Sequence, residues 1–468
     1  MGNNKKALKS GIWYTFANFA MSALTFLTTP IFTRLLSKSD YGIYSAYSSW
    51  VQILTIIVPL NFGATLICAK YDYPEDYKRY IYSCMSFTLV FSALWCAIVN
   101  VFSDSFTGLF GFGIGYINIM IAYVCFVSIV NIFISAERCL FEYKKAVFVS
   151  VLQAVATAVL AILLVLLMKD KLTGRIIGAA FPSIAIGLAV FAFYAIKYRR
   201  INIGYAPYAL KICLPYIPHA LSLVVLNSVD RIMIKRICGA EDAALYSLAY
   251  TCSMVITVLV AAMNEAFAPW LAEKLNEEKY GEIKDVAKKY VLLFSGLVVG
   301  IVLVAPEIML MLGGKSYGEA LYVLPPVMGG CIFQFLYSMY VNIEQIKKKT
   351  MGMACASVAA AVLNYVLNAL FIPKYGYIAA AYTTLAGYAF LLLIHMILVK
   401  NFIMDVIYDN RLTLALAAVT LGFVAMVSKI YGHSALRYAI LAVYLATAIA
   451  IGVKNKQKIK EVIGGLIH

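Results

Sequence analysis

Ionisable side chains are scarce in this sequence, and where they occur inside apolar runs they cluster. Asp230, Arg231, Lys235 and Arg236 close one such run, and Asn264 and Glu265 lie in the next, near Pro269. On a helix, Arg231 and Lys235 stand one turn apart on a single face. Arginine grips phosphate or carboxylate through two parallel N–H bonds, whereas lysine acts as a point charge. That face, joined by Arg34 from an earlier run, is the expected anion site, with Asn264 as a further polar ligand. Asp230 reads either as the buried partner of Arg231 or as a gating group. Glu265 reads as a carboxylate that couples H+ or Na+ to movement, or as a hydrogen-bond partner of a neighbouring helix. Ionisable groups inside spans usually face a cavity or one another. Pro215 and Pro218 each remove a backbone donor and are expected to loosen the start of their helix, a second gating device. Asn364 and Asn368 are one turn apart and suit helix–helix hydrogen bonds. Glu137, Arg138 and Glu344 read as interface residues, and the isolated His219 and His395 as structural. The ten cysteines show no ligand spacing and read as small buried hydrophobes. No catalytic residue, metal site or cofactor is expected.

The elements that position these residues follow from composition. Of 468 residues 63% are apolar and 13% charged, against nearer half and a quarter in soluble domains. A soluble enzyme, a disordered chain and a nucleic-acid-binding domain are excluded. The pattern predicts an all-α polytopic membrane protein, since about 20 apolar residues cross a bilayer core of ~30 Å. Hydropathy places fourteen spans at 12–33, 43–68, 81–103, 114–136, 146–168, 174–196, 211–234, 243–270, 288–312, 320–344, 351–372, 376–399, 411–430 and 435–453. Taking the N-terminal side as inside puts 27 of the 39 Lys and Arg there, which predicts cytoplasmic termini. The start, MGNNKKALKSGIW, reads as a basic lead into a retained span. Segment 273–289 reads as an amphipathic connector. No connection is long enough for an extramembrane catalytic domain.

An internal repeat organises the spans. RLLSKSDYGIYSAY at 34–47 matches RICGAEDAALYSLAY at 236–250 with an offset of 202, pairing Arg34 with Arg236, Asp40 with Asp242, Tyr44 with Tyr246 and Ser45 with Ser247. Six spans separate the copies, so the halves share one topology, with a substrate path between them. The expected units are a six-helix bundle at 1–197, a cytoplasmic linker at 198–210, a second bundle at 211–400, and two extra helices with a basic tail at 401–468. Gly42 against Ala244 is the departure within the repeat.

PIFTRLLSKSDYGIYS at 30–45, NFG at 61–63, SVDRIMIKRICG at 228–239 and VLNYVLNALFIPKYGYIAAAYTTLAGY at 362–388 resemble the polysaccharide (O-antigen or capsule, Wzx-type) flippases of the multidrug/oligosaccharidyl-lipid/polysaccharide exporter superfamily. The resemblance implies two six-helix bundles around a V-shaped cavity, rocking between inward- and outward-open states. It implies an oligosaccharide repeat unit on polyprenyl diphosphate as substrate, in a bacterial inner membrane. It implies membrane lipids, and a polysaccharide polymerase with its assembly proteins, as neighbours of a monomer, and no nucleic acid. Sugar hydroxyls cost roughly 2–7 kcal/mol each in an apolar medium when unpaired, so a headgroup needs a hydrated polar passage and no covalent chemistry. Two alternatives share the architecture: a lipid II-type flippase, and a multidrug cation antiporter, whose cavity would favour carboxylates. A membrane glycosyltransferase would need an acidic extramembrane loop.

Overall fold

The computed structural model describes residues 2–402 and 407–454, all helix and turn with no strand among them. Lys456, Lys458 and Lys460 of the expected basic tail lie outside the described residues, as do the side chains of Lys5, Lys6 and Lys9. The first half carries α1 (Gly2–Leu35), α2 (Lys38–Ile57), α3 (Leu66–Asp72), α4 (Tyr77–Val101), α5 (Ser103–Phe110), α6 (Ile114–Cys139), α7 (Tyr143–Leu167) and α8 (Lys171–Tyr198). The second carries α9 (Tyr205–Ile237), α10 (Ala240–Asn276), α11 (Tyr280–Leu303), α12 (Ala305–Gly313), α13 (Leu324–Ile346), α14 (Thr350–Tyr375) and α15 (Tyr377–Phe402), followed by α16 (Asn410–Lys429) and α17 (Ser434–Lys454).

The fourteen expected spans fall on helical residues, but several are divided between two elements and the structure does not establish the count of fourteen. Among the described residues ten helices are long and apolar enough to cross a membrane, or twelve if each of two bent pairs is one span. The bends are where the continuous spans read from hydropathy fail. Span 43–68 is broken after α2, beside Pro59, where Leu60 and Asn61 take left-handed backbone angles and α3 leaves at 46°. Span 288–312 is interrupted at Val304, before Pro306. The 3-10 stretch Lys315–Tyr322 meets α13, with Pro325 and Pro326 in its first turn, at 51°. A proline lacks the N–H that would carry the helix through and disfavours helical geometry just before it.

Two other expectations are corrected. Pro215 and Pro218 do not sit at a helix start, because α9 begins at Tyr205 and runs through both. The linker therefore shrinks to 199–204, stitched to α4 by Asn202 N–H to Ser83 Oγ at 3.1 Å and by Arg79 to the Arg200 carbonyl at 3.3 Å. Segment 273–289 is no separate connector: it is the end of α10 and the start of α11, joined by residues 277–279.

The two copies of the repeated motif begin equivalent helices. Ser37 caps α2 by accepting from the Asp40 N–H at 3.0 Å. The corresponding Gly239 precedes α10 with φ +107°, a value that favours glycine. α2 packs against both α9 and α10, and Ser45 Oγ lies 2.5 Å from its counterpart Ser247 Oγ. Here the Gly42/Ala244 departure has its reason. A Cβ on Gly42 would fall 1.7 Å from the Ala240 carbonyl oxygen and 3.0 Å from the Ala244 nitrogen.

α16 packs on α11 and α13, and α17 on α11. Arg437, buried on α17, donates to the Leu303 carbonyl and to both carboxylate oxygens of Glu307 on α12. Tyr444 donates to the Gly296 carbonyl at 2.8 Å.

Candidate functional site

Where the halves meet, α1, α2 and α8 face α9, α10, α13 and α15 across a cavity of about 600 Å³. Most of its lining residues carry a hydroxyl or an amide, including Ser48, Gln52, Thr251 and Gln334. Two cations enter it, Arg175 and Arg231, and no Asp or Glu lines it among the described residues.

Arg175 is set by the start of α8. Asp170 caps that helix by accepting from the Thr173 N–H at 3.2 Å, and Tyr116 pins the Thr173 hydroxyl at 2.6 Å. One turn on, the Arg175 guanidinium lies over two rings, Phe32 of α1 at 3.8 Å and Tyr44 of α2 at 4.1 Å. It has no hydrogen bond or ion pair among the described residues, so its five N–H donors are open to a ligand. Arg231 stands across from it on α9, over the Tyr250 ring at 4.9 Å, with one N–H to the Asn227 carbonyl at 3.1 Å. Stacking holds a guanidinium in place without neutralising it. The result is a polar space with two preorganised cations, suited to a bidentate anion.

Asp230 faces away from this cavity. It is buried among α10, α14 and α15, where it accepts from Tyr246, from Asn368 at 2.6 Å and from Thr384 at 2.6 Å. No ion pair with Arg231 forms among the described residues. Asn364 and Asn368 join this network, Asn368 donating to Asn364 at 3.2 Å and Asn364 to Thr384 at 3.1 Å. Asp230→Ala would strand three buried donors, each costing about 1–3 kcal/mol when unpaired. The variant is expected to lower the thermal stability of the detergent-purified protein markedly, and Asp230→Asn to lower it less. Melting followed by size-exclusion chromatography checks this, and unchanged melting of both variants would refute the network's structural role.

The remaining expected anion ligands are elsewhere. Lys235 does not extend the Arg231 face into the cavity; it donates to the Gly111 carbonyl at 3.0 Å and covers the Phe112 ring at 3.8 Å. Arg34 is exposed and donates to the Pro30 carbonyl at 2.9 Å and the Met311 carbonyl at 3.1 Å. Thr33 beside it bonds the Leu312 carbonyl, and Arg236 is exposed. Together with the Gly42–Ala240 approach, these contacts tie the halves at the end where α1 finishes. Asn264 accepts from Asn342 at 2.7 Å and does not line the cavity; Glu265 is exposed and does not line it either. Pro215 and Pro218 are exposed on α9. His395 is not isolated: its Nδ1 lies 2.8 Å from Glu344 Oε1, with both side chains buried.

Arg175 is the residue that sequence reasoning passed over. It is the second residue of an expected span, 174–196, where an arginine reads as an interfacial residue that snorkels, so the sequence carries little signal for it. Its ring partners are more than a hundred residues away, and nothing in the local pattern announces them.

Comparison with known proteins gives consistent results. A family model described as polysaccharide biosynthesis protein matches residues 7–275, more than half the chain, and a second, MatE, matches 215–370. A protein of the Lsg locus of Haemophilus influenzae is 23% identical over 290 residues, covering 58% of this chain and 68% of that protein. Among solved structures, the lipid II flippase MurJ in an inward closed conformation aligns with TM-score 0.71 at 16% identity, over 96% of this chain and 100% of that one. An inward-facing multidrug resistance MATE family transporter aligns with TM-score 0.67 at 12% identity, over 83% and 98%. These two likenesses show a shared fold.

Proposed function

Because the chain belongs to the polysaccharide biosynthesis protein family, we propose that it is a flippase for oligosaccharides carried on polyprenyl diphosphate. The family and the fold make it a multi-pass membrane transporter. The observation that carries the finer reading is the central cavity, with Arg175 and Arg231 and no carboxylate among its described lining residues. A cation antiporter would desolvate its substrate beside two arginines, which is unfavourable. A diphosphate gains charge-assisted hydrogen bonds from the same groups. Hydroxyl and amide walls replace the water that a sugar headgroup loses.

The bias of basic residues toward one side supports cytoplasmic termini in the inner membrane. The end tied by Arg34, Thr33 and Lys235 is then the outer one, and this conformation is shut toward the outside. Those residues serve as a seal, and transport requires their carbonyl contacts to part while the cavity opens outward. The lipid tail stays in the bilayer throughout.

Proteoliposomes holding the purified protein test the reading. A polyprenyl-diphosphate-linked oligosaccharide is expected to cross, faster under an H+ or Na+ gradient, while lipid II and an organic cation cross more slowly. Transport of the cation without the glycolipid would overturn the proposal, and a preference for lipid II would reassign the substrate.

A further inference from the structure

A second cavity, of about 440 Å³, lies wholly within the first half, between α1, α6, α7 and α8. It adjoins the central one, sharing Thr25, Thr28, Phe32 and Arg175 with it. It runs from Tyr123 to Arg138 along α6, about 22 Å at 1.5 Å per residue. Two polar stripes face each other across it. α6 contributes Asn131 and Ser135, one turn apart, and α7 contributes Ser150, Gln153 and Thr157 at helical spacing. α7 is otherwise strongly apolar. Polar side chains in such a helix are costly unless they are used.

Packing uses only part of this polarity. Ser150 bonds back to the Ala146 carbonyl at 2.9 Å, and Gln153 donates to Ser183 at 2.8 Å. Asn131, Ser135 and Thr157 make no hydrogen bond among the described residues, and Asn131, within the fourth expected span, is exposed and lines this cavity. No Asp or Glu lines the space among the described residues. Its volume holds roughly 15 waters at ~30 Å³ each. Between Arg175 at the mouth and Arg138 at the far end the lining is neutral, with donors and acceptors in both senses, and this elongated space matches a chain of hydroxylated rings attached to a diphosphate.

We infer that this cavity is a saccharide subsite: the diphosphate rests on Arg175 in the central cavity while the sugars extend between α6 and α7. The inference rests on the flippase reading above, and it names where the headgroup lies. It also assigns a task to Asn131, Gln153 and Thr157.

Binding to the full chain in lipid nanodiscs tests it, with two probes: polyprenyl diphosphate bearing a neutral disaccharide, and bare polyprenyl diphosphate. Native protein is expected to bind the glycosylated probe more tightly. Asn131→Leu and the isosteric Thr157→Val are expected to weaken that probe by roughly three- to tenfold for each hydrogen bond removed, with the bare probe unchanged. Equal affinity of native protein for both probes, or variants that affect both probes alike, would overturn the subsite and leave the flippase reading intact. Native protein that binds neither probe would overturn the flippase reading itself.

Discussion

Arg175→Ala is expected to cut transport of a polyprenyl-diphosphate-linked oligosaccharide by roughly 10- to 100-fold. A hydrogen bond to a charged group is worth about 1.5–3 kcal/mol, and every 1.4 kcal/mol is about tenfold. The amount of protein in the membrane should not change, because Arg175 has no hydrogen bond or ion pair among the described residues to lose. Its contacts are the faces of Phe32 and Tyr44. Arg175→Lys keeps the charge but loses the planar fork and the stacking, so it should fall between the two. Initial rates in proteoliposomes, normalised to protein, measure all three. Native rates for Arg175→Ala would remove the central cavity's claim to the diphosphate.

Gly42→Val is expected to abolish transport by a different route. The missing Cβ position sits 1.7 Å from the Ala240 oxygen and 2.7 Å from the Ala240 carbon. Both are backbone atoms, so no rotamer change relieves the clash. α2 and α10 must separate, and with them the seal made by Arg34, Thr33 and Lys235. A cysteine placed at Ser247, in a background without the ten native cysteines, should then react with a membrane-impermeant thiol reagent added outside. In the parent it should be protected when the outer end is shut. Protection that persists in Gly42→Val would show that this contact is not the seal.

The helices were readable because burial in lipid imposes one rule on every span: an apolar run of sufficient length. Prolines 59, 306, 325 and 326 were visible too, but that they sit at breaks while α9 runs unbroken through Pro215 and Pro218 depends on tertiary packing. The chemistry was half legible. Arg231 stood out as a charge inside an expected span and does line the cavity. Lys235 shares its helix face and the same reasoning, yet its amine finds the Gly111 carbonyl, 124 positions away. Asp230 looked like the partner of its neighbour, but successive residues on a helix point about 100° apart, and its donors come from α10, α14 and α15. Arg175 escaped notice because its partners are rings, which leave no charge pattern in the sequence.

α16 and α17 are bolted to the second half by Arg437 on Glu307 and by Tyr444 on Gly296. Were the halves to tilt as proposed, these helices would travel with the second half as an outrigger and add lipid-facing surface to that side alone.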